Sequence, residues 1–154
     1  MDGELDQAEA QTWESVLSVL LWLPAALEGR LKQHGLSHYE FLILWCLSHH
    51  TDRTHTMSSL AELSRVTPSH LSRIASRLEK HGWFVRESDP SDTRYTIASL
   101  TPAGLEKYRE AAPSYYAALR EHLFSRLTEQ QVEQLGGITA LVAQSLDPRA
   151  GYPR

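Results

Sequence analysis

The chain has 154 residues, of which 42% are hydrophobic and 22% charged, and its formal net charge is −4. That length builds one ordinary domain, or one domain with an extension, and the negative balance excludes a protein that coats nucleic acid indiscriminately. Cys46 is the single cysteine, which excludes an intrachain disulfide and fits a reducing compartment.

The acidic start (Asp2, Glu4, Asp6, Glu9) has the wrong charge for a secretory signal. The longest apolar stretch, Val16 to Leu27, contains Ser18 and Pro24 and is too short to span a bilayer. A cytoplasmic location without a membrane partner is therefore expected. Residues from about Gln11 to Gln33 suit a long first helix that Pro24 should kink or restart and Gly35 should end. Its apolar residues, among them Val16, Val19, Leu20, Trp22 and Leu27, make more than one stripe, so it needs burial from more than one direction.

Ser37-His-Tyr-Glu40 is a capping box, which starts a second helix carrying Phe41, Leu42, Leu44, Trp45 and Leu47. His49 to His55 reads as a polar connection. A short helix is expected from about Ser58 to Arg65, and Val66-Thr67 turns the chain into the next one. There Thr67 is a good N-cap, Pro68 fits the first helical position and Gly82 supplies a left-handed stop. Leu71, Ile74, Ala75 and Leu78 follow the i, i+3, i+4, i+7 rule and form one apolar stripe. Two short helices joined by a few residues, the second with a polar cationic face, are the signature of a helix-turn-helix.

After Gly82 the period becomes extended. Trp83 to Glu87 and Tyr95 to Leu100 flank the turn-forming Ser88-Asp-Pro-Ser-Asp-Thr-Arg94, which predicts an antiparallel hairpin. Thr101-Pro102 caps a further helix to about Leu127, with Pro113 as a kink. Thr128-Glu-Gln-Gln131 is a second capping box, opening a last helix with Val132, Leu135, Ile138, Leu141 and Val142. Asp147 to Arg154 reads as a flexible tail. The fold class is mainly α with a small β-hairpin wing.

The chemistry concentrates on the helix from Thr67 to Gly82. Ser69, Ser72, Arg73, Ser76, Arg77 and Lys80 project opposite the apolar stripe, with His70 at the edge and no carboxylate before Glu79. Hydroxyls permit close approach to a DNA major groove, while arginines reach guanine edges or phosphates. From Arg65 to Arg94 the chain is net +2, so the remainder carries −6. A solvated surface helix is the plain alternative for the isolated segment, and the hairpin after Gly82 favours the DNA reading. No phosphate loop, metalloprotease motif or nucleophile elbow is present, and no enzyme is expected.

With Leu78-Glu-Lys-His-Gly82, Arg86, Asp89-Pro-Ser-Asp92-Thr-Arg94 and Leu100-Thr101-Pro-Ala-Gly104 in this order, the chain resembles the MarR family of bacterial transcription regulators over nearly its whole length. The resemblance implies a winged helix-turn-helix at residues 37–101, with residues 1–36 and 102–146 forming the dimerisation helices of a homodimer. It implies binding to pseudo-palindromic double-stranded DNA, most often as a repressor. It also implies release by a small aromatic or amphiphilic effector held between the dimer helices and the winged domain. Thr93 and Tyr95 depart from the family's wing pattern, leaving Arg94 as the one wing side chain expected to reach the minor groove.

Arg73 and Arg77 are the leading DNA contacts, one reading a base and the other holding phosphate. Ser69, His70 and Ser72 lie near the helix start, where recognition helices meet base edges. Thr67 either bonds a phosphate or only caps the helix. Asp92 is expected to orient Arg94, because a carboxylate repels phosphate. Trp22, His38 and Trp45 are candidates for the effector pocket, with plain core packing as the alternative. His49, His50 and His55 lie in a connection with no neighbouring cysteine, so neither a metal nor another cofactor is expected. Cys46 sits in an apolar helix as a buried thiol rather than a sensor. A winged helix used only for protein contacts is the competing function.

Overall fold

The computed structural model describes residues 3–146. In chain order the elements are α1 (Gln7–Leu31), α2 (His38–Ser48), β1 (Thr54–Thr56), α3 (Met57–Ser64), α4 (Pro68–Lys80), β2 (Phe84–Ser88), β3 (Thr96–Leu100), α5 (Pro102–His122) and α6 (Glu129–Leu146). Single 3-10 turns follow α1 and α5. Residues up to Tyr116 form one compact unit and those from Ala117 a second. The chain is thus mainly α with a small antiparallel sheet, as its patterning predicts.

Helix boundaries follow the caps. Ser37 accepts from the Glu40 amide while Glu40 accepts from the Ser37 amide, a reciprocal pair that satisfies two orphan donors at the start of α2. Thr128 and Gln131 do the same before α6. The first helix departs from expectation: it begins at Gln7, because Asp6 and Glu9 make a further capping box. Helix α1 continues through Pro24 rather than restarting there, and α5 continues through Pro113. The tail at 147–154 lies outside the described residues.

The polar connection from His49 to His55 is partly a strand. β1 pairs antiparallel with β3, Thr54 opposite Ser99 and Thr56 opposite Ile97, giving a three-stranded sheet in the order β1-β3-β2. Such a short strand has no periodicity of its own and exists because β3 offers it a ladder.

The core of the first unit gathers Leu27 and Leu31 from the end of α1, Phe41, Ile43, Leu44 and Leu47 from α2, Leu60, Leu71, Ile74 and Leu78 from α3 and α4, and Phe84 from β2. His34, just past α1, reaches Glu110 and Ser114 of α5 at 3.1 and 2.9 Å. The junction after β3 is equally constrained. Thr101 donates its hydroxyl to the Gly82 carbonyl at 2.6 Å and caps Gly104 at 3.0 Å. A Cβ on Gly104 would run into the Trp83 carbonyl and lie 2.7 Å from Leu100 Cδ1, so this backbone approach needs glycine.

Upstream of this core α1 is bare. Trp13, Val16, Leu17, Val19, Leu20, Leu21 and Trp22 are all exposed, on every side of the helix. On α6, within the second unit, Ile138, Leu141, Val142 and Leu146 are exposed likewise. No helix among the described residues is long and apolar enough to cross a membrane.

Candidate nucleic-acid interface

The turn into α4 is made by Arg65, which takes the left-handed conformation at φ 58°, and by the Val66 amide, which donates to the Ala61 carbonyl at 3.1 Å. Thr67 then caps α4 by accepting from the His70 amide at 3.2 Å, with Pro68 opening the helix. Leu71, Ile74, Ala75 and Leu78 are buried. The opposite face is exposed at Thr67, Ser69, Ser72, Arg73, Arg77 and Lys80. A capped, amphipathic helix lying on α3 is the local geometry of a groove-reading element.

Side chains outside α4 engage this face. Arg86, on β2, donates from Nε to Glu79 Oε1 at 3.0 Å and from Nη2 to Oε2 at 2.6 Å. Its Nη2 also reaches Ser76 Oγ at 3.1 Å and its Nη1 reaches Ser72 Oγ at 3.4 Å. The hydrogen bonds from Arg86 hold the Glu79 carboxyl below its ordinary range, and those to Glu79 hold the guanidinium up. The only carboxylate of α4 is thereby neutralised.

Arg77 and His70 are also held. Arg77 Nε lies 3.0 Å from Glu40 Oε1 of α2, a carboxylate only 3% exposed, while 65% of the Arg77 side chain stays open to solvent. The half-buried His70 ring meets Tyr39 edge-on at 4.7 Å. Arg73, by contrast, is exposed with no charged partner for its guanidinium among the described residues.

The wing is the β2–β3 hairpin, closed by the Asp89 amide donating to the Tyr95 carbonyl at 2.9 Å. Asp92 accepts from Arg94 at its backbone amide (3.1 Å), Nε (2.9 Å) and Nη2 (2.6 Å). The Arg94 side chain remains 82% exposed, with its guanidinium 6.0 Å from the Tyr95 ring centre. The arginine hydrogen bonds hold the Asp92 carboxyl below its usual value.

His38 and Trp45 share one face of α2 and end a chain of rings between α2 and α5. His38 stacks on Tyr115 at 5.9 Å, Tyr115 on Phe41 at 4.2 Å, and Phe41 meets Tyr108 at 5.7 Å. Tyr108 then meets His49 at 5.9 Å, and His49 meets Trp45 at 4.8 Å. Trp22 makes no ring contact with this chain among the described residues; it is 74% exposed on α1. Nδ1 of His38 is buried with no hydrogen-bond partner among the described residues, and burial lowers the ring's affinity for a proton. Burial likewise pushes the Cys46 thiol up to about 11. His50 and His55 lie 4.2 Å apart, but no three potential ligands gather around a point among the described residues.

Tyr39, Glu40 and Arg86 are the residues beside this face to which sequence patterning assigns no part in an interface; for Glu40 it reads only the cap of α2. Arg86 stands within the family motif, yet nothing local shows that it turns toward α4.

A family model described as MarR family matches residues 36–96. The transcriptional repressor MdtR of Bacillus subtilis is 32% identical over 124 residues, which cover 80% of this chain and 77% of that protein. The transcriptional repressor MprA of Escherichia coli is 31% identical over 117 residues, 76% of this chain and 66% of the relative's length. Among solved structures, Sco3205, a MarR family transcriptional regulator from Streptomyces coelicolor crystallised with DNA, superposes with a TM-score of 0.92. It is 35% identical, with 97% of this chain and 94% of that one covered.

Proposed function

From the premise that this chain belongs to the MarR family of DNA-binding transcriptional regulators, we propose that it is a cytoplasmic, homodimeric repressor of a pseudo-palindromic operator, released by a small aromatic or amphiphilic effector. One observation carries the reading. The apolar stripe of α4 is wholly buried, while Ser69, Ser72, Arg73 and Arg77 stand exposed on its other face, beside a wing that extends Arg94 into solvent. In the docked complex Arg73 reads a base edge, Arg77 holds phosphate, and Thr67, Ser69, His70 and Ser72 meet the groove near the helix start. Asp92 orients Arg94 toward the adjacent minor groove, where a narrow A·T-rich segment attracts a guanidinium.

Two copies of α4 are needed for two half-sites. The exposed apolar surfaces of α1 and α6 support self-association, since monomeric proteins rarely leave such surface in water. Residues 1–36 and 102–146 act as the dimerisation helices and residues 37–101 as the DNA-binding domain. For the effector, Nδ1 of His38, without a hydrogen-bond partner among the described residues, is a polar handle at one end of the ring chain that ends on Trp45. A ligand shifts the DNA equilibrium only through different affinities for the bound and free dimer conformations.

Selection of bound sites from a random DNA pool with the whole chain tests this reading. The expected product is a pair of inverted half-sites about 10 base pairs apart, centre to centre. Recovery of no common sequence, or binding that ignores salt, would remove the operator from the account.

A further inference from the structure

We propose that the first turn of α2 is the positioning device for α4, with Glu40 aiming Arg77 and Tyr39 aiming His70 at the DNA. The inference rests on reading α4 as the recognition helix. His70 and Arg77 lie in the first and last turns of α4, seven residues apart and so on one face. Both are held by adjacent residues of one turn in α2: the Tyr39 ring against His70, and the Glu40 carboxylate against Arg77. A helix gripped near both ends by a single rigid turn cannot roll or tilt without breaking a contact.

Glu40 is unusual among the carboxylates of the first unit in being buried. Its two oxygens have separate tasks. Oε2 accepts from the Ser37 amide at 2.8 Å, which fixes the side chain to the start of α2. Oε1 faces Arg77 Nε at 3.0 Å. A carboxylate taken out of water requires such partners, so the contact is held on both sides. Arg77 meanwhile keeps most of its side chain in solvent, and the Nε contact restricts its swing. A long cation that is pre-aimed loses less conformational freedom when it meets phosphate. The neighbouring His38 stacks on Tyr115, which pins the same turn to α5.

The test measures the affinity of the full chain for its selected operator and for a random duplex of equal length. Glu40→Gln keeps the shape of the side chain and its cap acceptor. It should weaken operator binding about tenfold, while random-duplex binding, set by overall charge, changes by less than about twofold. Arg77→Gln should cost at least as much on the operator, and the double variant should cost no more than Arg77→Gln alone. Tyr39→Leu should also weaken the operator complex selectively.

Arg77→Lys gives a second route if Glu40→Gln fails to fold. It retains the cation but not the planar Nε edge, and should behave like Glu40→Gln. An unchanged or tighter operator complex for Glu40→Gln, additive losses in the double variant, or a Lys variant equal to the parent would each overturn the proposal. Arg73→Ala separates the positioning role from the recognition-helix reading beneath it. If it too leaves binding unchanged, the recognition-helix reading itself has failed; if it weakens binding while Glu40→Gln does not, only the positioning role has.

Discussion

Arg86 of β2 closes its guanidinium on the Glu79 carboxylate of α4, with Nε at 3.0 Å and Nη2 at 2.6 Å, and the same Nη2 reaches Ser76. Wing strand and candidate recognition helix are thereby tied at the side-chain level, beyond the short turn at residues 81–83 that joins them. The pair also cancels the one negative charge of α4, beside the face proposed to meet DNA. The reach of Arg86 to Ser72 brings a fourth contact onto the face expected to read bases.

Arg86→Met should loosen this tie while keeping most of the stem's packing. The pair is part-exposed, so solvent screening limits the stability loss to roughly 1 kcal/mol, or about 3 °C in thermal unfolding. The larger effect should fall on DNA. Footprinting should lose protection at the wing's minor groove before it loses the half-site core. An unaltered wing footprint with Arg86→Met would show that the turn alone sets the wing.

Gly104→Ala tests the junction where α5 leaves the sheet. The added methyl meets the Trp83 carbonyl, a backbone atom that cannot swing away. Overpacking of this kind should cost about 2 kcal/mol net, even after alanine's better helix propensity. Urea unfolding of the two proteins measures it, and equal midpoints would place the approach of α5 to Trp83 in error.

Self-association is open to a single charge. Leu20 is exposed in the middle of the bare stretch of α1. Leu20→Glu should place a carboxylate in the proposed dimer interface and yield a monomer at micromolar concentration by sedimentation, with operator affinity lost. A dimer of undiminished stability would move the interface elsewhere.

The pH dependence of stability is set in part by His38 and His55. Burial lowers both below their ordinary value of 6.5; Glu28 opposes this at His38, and His50 adds to it at His55. In the unfolded chain both rings take protons near 6.5 while the folded ones resist, so the unfolded state binds more protons on the acid side. Their stabilisation is present above pH 6.5 and is lost as pH falls through the lower folded values. Denaturant midpoints should therefore drop between pH 7 and 5, and less steeply in His38→Gln. A second loss should follow below about 4.5, as Glu79 takes a proton and leaves Arg86.

Local signals were legible wherever one turn of chain contains both partners. The Ser37–Glu40 and Thr128–Gln131 boxes, the Thr67 cap with Pro68 and the apolar stripe of α4 all fall where their spacing predicts, because helix starts and amphipathic faces are properties of a few consecutive residues. Asp6 and Glu9 carry the same signal, and the earlier start of α1 was readable from it. At Pro24 the helix continues rather than restarting, and α5 likewise continues through Pro113. β1 was not readable, since Thr54 becomes a strand only by pairing with Ser99, forty-five residues away.

The amino-acid sequence by itself determined a helical, winged architecture, a cationic helix in a family setting and an Asp92–Arg94 pair two residues apart. Caps, stripes and turns depend on near neighbours, and their spacing is written in the chain. Only the tertiary structure decided which of those polar side chains remain uncommitted. Arg77 and Arg73 look alike along the helix, yet a buried carboxylate on α2 holds Arg77, and Arg73 has no such charged partner among the described residues. Ser72 looked like a free hydroxyl until β2 brought Arg86 across it. Those assignments depend on how α2 and β2 cross α4, which side-chain periodicity within α4 cannot encode.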